Sequence, residues 1–328
     1  MPAKISTPQP AATGLRSSVA NPAAANGISK RGGVTISPAF QQVSIDANQP
    51  QLTFDFSITN NADVSYEFGL SVVDFGSLDE TGGVLFVGNG SKALSYRYAL
   101  SPWVTLEKDR VVVEPHATEK VPVTIDNKES LTPGGHYGAI LVTPTETGAN
   151  AGRKVQIDQV ASSLLFVKKL GGDVYRLELN KLRVRPHIFS LPGSIDVRFQ
   201  NSGNVHVIPR GLVTLSDSRG RIVKRGIINA DSGIVLPESF RSLTVPLEAV
   251  GSSWLPGRYK LTTTYRYDDQ TSVRTVTSSF VYVNVGFVLL ILLLVALVMA
   301  YCLNRKHRSR ITATGHRVVR RIRQFRLH

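Results

Sequence analysis

Four histidines lie in the strand-rich part of this 328-residue chain, and they are the first residues to test for metal binding or catalysis. They are His116, His136, His187 and His206. None of them has the H-x-x-x-H or H-E-x-x-H spacing that brings two imidazoles onto one metal ion. His206 alternates with Val205 and Val207, so we expect it to face the opposite side of a strand, in a structural or solvent-facing role. The sequence predicts no metal site and no cofactor.

Nucleophiles and acid–base pairs are equally sparse. The single cysteine, Cys302, lies in the apolar C-terminal stretch, so the preceding part of the chain has no thiol for catalysis. The sequence contains no G-x-S-x-G elbow, no Walker loop and no dinucleotide-binding glycine pattern. Asp268 and Asp269 in "YRYDDQ" are typical of a solvated hairpin tip rather than of a catalytic carboxylate pair. We therefore predict that the chain is not an enzyme.

Positive charge is concentrated at the C-terminal end. Nine of the 38 Lys and Arg residues follow Val285, and no Asp or Glu does. Eight of these cations are predicted to set membrane topology and to contact anionic lipid: Arg305, Lys306, Arg308, Arg310, Arg317, Arg320, Arg321 and Arg323. In "HRVVRRIRQFRLH" the apolar residues recur every three or four positions, which favours a basic amphipathic helix on an anionic leaflet; a solvated tail that only sets topology is the alternative. The high pI is largely a property of this tail, so we expect no nucleic-acid partner.

The segment before this tail is typical of a membrane anchor. Residues 285–303 carry no charge, and at helical rise they would cover about 28 Å, one hydrocarbon core. Basic flanks prefer the cytoplasm, which predicts a single pass through the plasma membrane with the N-terminal domains outside and residues 304–328 inside. Residues 1–33, a predicted disordered arm, do not resemble an export signal. Either a signal precedes the recorded start, or the chain is a tail-anchored intracellular adaptor.

Alternating apolar residues predict strands throughout the region between this arm and the anchor. In "QLTFDFSITN", Leu52, Phe54, Phe56 and Ile58 fall on one face of a strand. Similar alternation recurs in "KVPVTID", "HYGAILV", "SIDVRFQ" and "RYKLTTTY", with turn markers such as "NNAD", "PGG" and "DSRG" between the strands. The fold class expected is mainly β.

An internal repeat divides this region in two. "FSITNNAD", "VEPHATEKVPVTI" and "PGGHYGAILV" are followed in the same order by "VRFQNSGN", "VLPESFRSLTVPL" and "PGRYKLTTTY". Asn60 and Asn201 end equivalent strands, where an Asn side chain can cap a turn. Tyr137 and Tyr259 begin later strands, as the corner tyrosine of immunoglobulin-like sandwiches does. The repeat predicts two tandem sandwiches, residues 34–170 and 172–283.

The order of these parts resembles that of bacterial membrane-anchored surface proteins. "ISPAFQQVSID", "FSITNNA", "PGGHYGAILV" and "FQNSGNVHVIPRGLVTLSDSRGRIV" are similar to the ectodomains of WxL-interacting proteins. The resemblance implies a peptidoglycan-binding module, a second module that binds protein, and an adhesive, non-catalytic role with the lipid bilayer and a cell-wall polymer or surface protein as partners. Module one is also similar to the sandwiches of the PapD chaperone and the major sperm protein, so the adaptor alternative would bind peptides.

Overall fold

The computed structural model describes residues 33–87, 96–145, 161–184, 190–251, 256–268 and 270–325, and only the backbone of residues 96, 145 and 306–325. This part of the chain contains 18 strands, two short 3-10 helices and one α-helix. The predicted fold class, immunoglobulin-like β-sandwiches followed by one C-terminal apolar helix, is confirmed. Residues 1–32 of the predicted arm, His187 and Asp269 lie outside the described residues.

Ten strands form the first pair of sheets. They are β1 (Val34–Ser37), β2 (Phe40–Ile45), β3 (Gln51–Asn60), β4 (Tyr66–Ser77), β5 (Val84–Val87), β6 (Val104–Leu106), β7 (Arg110–Val113), β8 (Thr118–Asp126), β9 (Gly134–Thr145) and β10 (Ala161–Lys169). One sheet has the order β1-β3-β8-β6, and the other has the order β2-β10-β9-β4-β5, with β7 also paired to β4. Strands β1 and β2 are joined through Ser37–Pro38 and belong to different sheets. Strand β2 runs parallel to β10, whereas the other pairings in these sheets are antiparallel.

The core of this first sandwich follows from the alternation read in the sequence. On β3, Phe56 and Ile58 are fully buried, while Thr53 and Asp55 are exposed. The inward residues of β8 and β9 meet them and form one apolar cluster with Val121, Val123, Ile125 and Ile140. Burial of these side chains removes apolar area from water and is the main favourable term in the packing of the two sheets.

Eight strands form the second pair of sheets. They are β11 (Leu177–Val184), β12 (Ser194–Asn201), β13 (Pro209–Ser216), β14 (Ile222–Ile228), β15 (Ser239–Pro246), β16 (Glu248–Ala249), β17 (Gly257–Tyr267) and β18 (Arg274–Tyr282). The smaller sheet has the order β11-β12-β15, and the larger has the order β16-β14-β13-β17-β18. Their inward side chains include Ile195, Val197, Val213, Leu215 and Leu261, each fully buried.

Two compact units emerge from the packing of the backbone. The first comprises Met1–Glu178, Phe199–Val207 and Ile234–Arg241, and the second comprises Leu179–Arg198, Ile208–Gly233 and Ser242–His328. Two short segments near the ends of β12 and β15 thus pack with the strands of the first sandwich. The predicted module limits at residues 170 and 172 stay predictions.

One α-helix, α1 (Val285–Phe325), ends the described chain. Asn284 caps it, because its Oδ1 accepts a hydrogen bond from the Phe287 backbone N–H at 3.3 Å. The 21 residues Val285–Arg305 are long and apolar enough to cross a membrane, and none of the tested window is buried within the protein. Of the eight cations predicted to lie at the membrane surface, Arg305 is exposed. The side chains of the other seven, Lys306, Arg308, Arg310, Arg317, Arg320, Arg321 and Arg323, lie outside the described part of the structure.

Candidate functional site

A crevice of about 240 Å³ opens on the first unit, beside the edge strand β5. Its lining residues come from β4, β5, a 3-10 helix, β9 and the start of β15: Phe75, Gly76, Ser77, Leu85, Tyr98, Tyr137, Leu236, Pro237, Glu238 and Ser239. Concave apolar surfaces with a few polar groups are where proteins hold ligands. The crevice is therefore our candidate functional site.

Aromatic rings from neighbouring strands form the floor of the crevice. Phe75 on β4 is opposite Phe86 on β5, and Tyr137 on β9 is opposite Phe166 on β10. The Phe75 and Tyr137 ring centroids are 5.9 Å apart, and those of Tyr137 and Phe166 are 5.5 Å apart. These separations lie in the range where tilted and edge-on aromatic pairs attract one another. The floor of the crevice is accordingly apolar.

Tyr98 and Glu238 form the polar wall of the crevice. The Tyr98 hydroxyl donates a hydrogen bond to Glu238 Oε1 at 2.9 Å. Burial raises the pKa of Tyr98 to about 12, and the Glu238 carboxylate adds to the rise, so the phenol stays protonated at neutral pH. Glu238 has a φ of 54°, a left-handed conformation that non-glycine residues seldom adopt. The pair supplies one fixed donor–acceptor group at the rim of a crevice that also contains Ser77 and Ser239.

Asp74 on β4 fixes the segment that carries Tyr98. Its Oδ1 accepts hydrogen bonds from the backbone N–H groups of Leu100 and Ser101 at 2.8 and 2.7 Å. Its Oδ2 accepts a third, from the Ser101 hydroxyl, at 2.9 Å. Hydrogen bonds to a charged acceptor are the stronger ones, so this carboxylate holds the short 3-10 turns against the sheet.

Arg241 fixes the opposite wall. Its Nη1 donates a hydrogen bond to the Ile234 carbonyl at 2.6 Å. Its guanidinium lies on Gly82 in the turn between β4 and β5, where a side-chain Cβ would collide with it. Because the tip of the Arg241 side chain can move, the requirement for glycine in this turn comes from the φ of 95° at Gly82. The contact keeps the Leu236–Ser239 segment at the mouth of the crevice.

Strand β5 gives the crevice a free sheet edge. Among the described strands it pairs only with β4, and Leu85, which lines the crevice, is 37% exposed. An unpaired strand edge offers backbone N–H and C=O groups to another extended chain. When a pocket for side chains lies beside such an edge, the combination suits β-strand addition.

His206 lies under the floor instead of facing solvent. Its Nδ1 is 3.3 Å from the Tyr137 hydroxyl, and its ring packs edge-on against Phe166 at 5.2 Å. Burial lowers the pKa of His206 to about 4, with a smaller contribution from Lys168. The expected strand alternation with Val205 and Val207 is wrong, because residues 203–205 form a bend before the isolated bridge at Val207, and the side chains of Val205, His206 and Val207 are all buried.

The other described histidines are dispersed. His116 is exposed and lies 3.0 Å from an Asp63 carboxylate oxygen. His136 is buried, its ring nitrogens lie 2.8 and 2.7 Å from the Ala99 and Thr132 carbonyl oxygens, and burial lowers its pKa. Within the described ranges, no group of three His, Cys, Asp or Glu residues could hold a metal ion.

Sequence reasoning singled out Tyr137 and His206 but missed Tyr98 and Glu238. Tyr137 was found through its repeat partner Tyr259, and both are buried at the start of strands that follow a Pro-Gly turn. Tyr98 and Glu238 are 140 residues apart, and no local pattern joins them. The predicted anionic-lipid residues lie at the other end of the chain and take no part in the crevice.

The mainly β sandwich fold of the described chain is similar to that of several solved structures. No family profile and no curated protein matches the sequence. A chaperone–tip adhesin complex of CFA/I fimbriae is similar over 77% of this chain and 99% of that chain, with 9% identity and a TM-score of 0.42. The CsuC–CsuE pre-assembly complex of Acinetobacter baumannii is similar over 75% of this chain and 97% of that chain, with 10% identity and a TM-score of 0.37. The E. coli chaperone DraB is similar over 75% of this chain and 98% of that chain, with 11% identity and a TM-score of 0.35.

Proposed function

We propose that this chain is a single-pass membrane protein whose first unit binds an extended segment of a protein partner without catalysing a reaction. The observation that carries the proposal is the crevice between Phe75, Leu85 and Leu236, which lies beside β5, an edge strand that pairs only with β4 among the described strands. A bound strand would hydrogen-bond to the edge and place an apolar side chain in the crevice. The Tyr98–Glu238 pair would orient it at the rim.

The anchor and its charges support a surface location. A helical segment of 21 residues that is apolar enough to span a membrane, with cations at and after its C-terminal end, favours insertion with the cations in the cytoplasm. The sandwiches then lie outside the plasma membrane, where the resemblance to WxL-interacting proteins would place a wall polymer or a surface protein within reach. The adhesive role and the peptidoglycan-binding activity are parts of this proposal.

The peptide site is tested with Leu85→Lys. Leu85 lines the crevice and is 37% exposed, so we expect a lysine there to leave the core intact and to add a positive charge beside the crevice. Leu78→Lys is the matched control, because Leu78 is 58% exposed and does not line the crevice. A display library of random peptides is selected on the full-length protein in nanodiscs, and the selected peptides are measured against each variant.

The expected peptides alternate apolar and polar residues, and Leu85→Lys binds them at least tenfold more weakly while Leu78→Lys binds them normally. Equal binding by all three proteins would show that the peptides dock elsewhere. Failure to select any peptide above background would refute the crevice as a peptide site.

A further inference from the structure

We propose that the outward face of the β16-β14-β13-β17-β18 sheet binds a linear phosphodiester polymer that lacks nucleobases. The proposal concerns five side chains, which we call the basic sheet face: Arg210, Arg225, Arg258, Lys260 and Arg266. It goes beyond the proposed peptide site, because it uses the second unit and a different class of ligand.

Strand β17 shows how the chain places these cations on one side. Its even-numbered residues from Arg258 to Arg266 point outward, and Arg258, Lys260 and Arg266 are exposed. The residues that alternate with them are buried, among them Tyr259, Tyr265 and Tyr267. Because successive side chains of a strand point to opposite faces, the three cations share the outer face.

The register of the neighbouring strands adds the other two cations. Arg210 on β13 is directly opposite Arg266 on β17. Arg225 on β14 is opposite Thr214, which is in turn opposite Thr262 on β17. Paired residues of adjacent antiparallel strands lie on the same face, so all five cations are on one surface.

Opposing arginines repel one another, and the structure does not neutralise them. All five side chains are exposed, and none of them makes an ion pair or a hydrogen bond with the residues that the structure describes. By contrast, Arg221 in the nearby hairpin is 2.7 Å from Asp217. Two carboxylates border the face, Glu248 opposite Arg225 and Asp268 at the end near Arg266. The five cations of the basic sheet face therefore outnumber its two acids. Arg210 and Arg266 form a like-charge pair that destabilises the sheet, and a bound anion would relieve their repulsion.

A cavity of about 260 Å³ lies at this like-charge pair. Its lining residues are Ile208, Arg210, Arg266, Tyr267 and Asp268. Guanidinium groups present planar forks of N–H donors that match phosphate oxygens, so two of them facing each other suit one phosphate group. Arg258 and Lys260 continue the row along β17, about 26 Å in all at the rise of a strand. The length fits several repeats of an extended polymer.

The ligand chemistry follows from what the face lacks. The tyrosines of β17, Tyr259, Tyr265 and Tyr267, are buried, and the outward positions of β17 between the cations hold Thr262 and Thr264. The neighbouring strands β13 and β14 place the exposed apolar residues Leu212 and Ile227 on the same face. Single-stranded nucleic acids rely on aromatic rings that stack against their bases. A polyol-phosphate chain needs only cations and hydroxyls, and this face supplies both.

Lipid headgroups are the other source of phosphate, and the geometry disfavours them. The β17 residue Gly257 is opposite Tyr282, three residues before α1 begins, whereas Tyr265 is opposite Arg274 at the far end of the hairpin. A flat bilayer that meets α1 would lie nearest to Arg258, and the Arg210–Arg266 pair lies at the opposite end of the row. A polymer extending away from the membrane reaches both ends.

The test uses the full-length chain in vesicles of zwitterionic lipid, captured through an N-terminal tag so that the sandwiches face the added ligand. The probe is poly(glycerol phosphate), compared with a single-stranded oligonucleotide, neutral dextran and anionic-lipid vesicles. The variant is Arg210→Gln with Arg266→Gln. The control with the same change of charge is Arg183→Gln with Arg219→Gln, two exposed arginines outside the basic sheet face.

We expect the Arg210/Arg266 variant to bind poly(glycerol phosphate) about tenfold more weakly, with a salt dependence reduced by about one to two counterions, and the control to bind normally. Equal loss in both variants would overturn the proposal, because only net charge would matter. Equal binding of the oligonucleotide would overturn the preference for a polymer without bases. Binding to anionic vesicles alone would overturn the polymer and assign the face to lipid. Binding to none of the probes would overturn the proposal that this face binds phosphate groups.

Discussion

Asn60 and Asn201 make the same three hydrogen bonds at the ends of two different strands. Each Oδ1 accepts a backbone N–H two residues later, from Ala62 and from Gly203, both at 2.9 Å. Each Nδ2 donates to the carbonyl four residues later at 2.8 Å, and to a distant carbonyl, Val113 or Val235, at 3.0 Å. The internal repeat in the sequence therefore preserves a buried polar bridge between two segments of each copy.

We predict that Asn201→Ala and Asn60→Ala each lower the free energy of unfolding by about 1–3 kcal/mol, because each leaves buried backbone groups without partners. Urea unfolding followed by tryptophan fluorescence measures the change. Asn61→Ala is the control, since Asn61 is exposed and bonds only to Thr35 Oγ1 among the described side chains. Changes of similar size at Asn61 and Asn201 would contradict the argument.

The pKa of His206 predicts a loss of stability in acid. Burial lowers its pKa from 6.5 to about 4 in the folded protein, so between these values the unfolded chain binds a proton that the folded chain does not. The stability present above pH 6.5 therefore falls as the pH approaches 4, by up to about 3 kcal/mol. His206→Phe keeps a ring beside Tyr137 but cannot titrate.

Thermal unfolding of both proteins from pH 7.5 to pH 4 checks this. The melting temperature of the wild type should decline relative to that of His206→Phe below pH 6.5. Burial also lowers the pKa of His136, but this residue is present in both proteins, so its contribution to the pH dependence cancels in the difference between them. Parallel curves for the two proteins would mean that the pKa of His206 is the same in the folded and unfolded states, which would contradict this prediction.

Local patterns in the amino-acid sequence predicted much of the fold. The alternation from Leu52 to Ile58 predicted β3 because period-two burial is visible within one segment, and the length and apolar composition of residues 285–303 predicted the first part of α1. The Asn and Pro-Gly positions of the repeat predicted turns for the same reason. Each of these signals depends on residues that are close in sequence.

Features that depend on register between distant strands were not predictable. Strand β10, for example, is paired on both sides, with β9 and with the parallel strand β2. The basic sheet face needs Arg210 opposite Arg266, which no single segment reveals. The crevice likewise needs Tyr98 and Glu238, which only the folded chain brings together.

The pairing of β13 with β17, on which the basic sheet face depends, gives a third prediction. A Cβ at Gly211 would collide with the Thr264 carbonyl oxygen, so Gly211→Ala should push the strands apart and destabilise the protein by about 1–3 kcal/mol. Gly193→Ala is the control, because open space surrounds that position. Urea unfolding of both variants separates the two effects, and equal stability would contradict the observed close approach.

The charges after α1's apolar segment give the last prediction, which concerns orientation. If Arg305, Lys306, Arg308 and Arg310 hold the C-terminal end in the cytoplasm, changing all four to Glu removes the charge bias that sets orientation, and part of the population should insert with the sandwiches inside. Protease added to intact cells should digest the sandwiches of the wild type and spare those of the inverted fraction.

The matched control changes four cations in the second half of the tail, Arg317, Arg320, Arg321 and Arg323, to Glu. Cations count most near the end of the span, so this variant should keep the wild-type orientation and lose only contact with anionic lipid. Cells in which the wild-type sandwiches resist protease while the tail is cut would reverse the assignment. In that case the peptide site would face the cytosol, as the tail-anchored adaptor requires, because the same helix would be inserted with its cations outside.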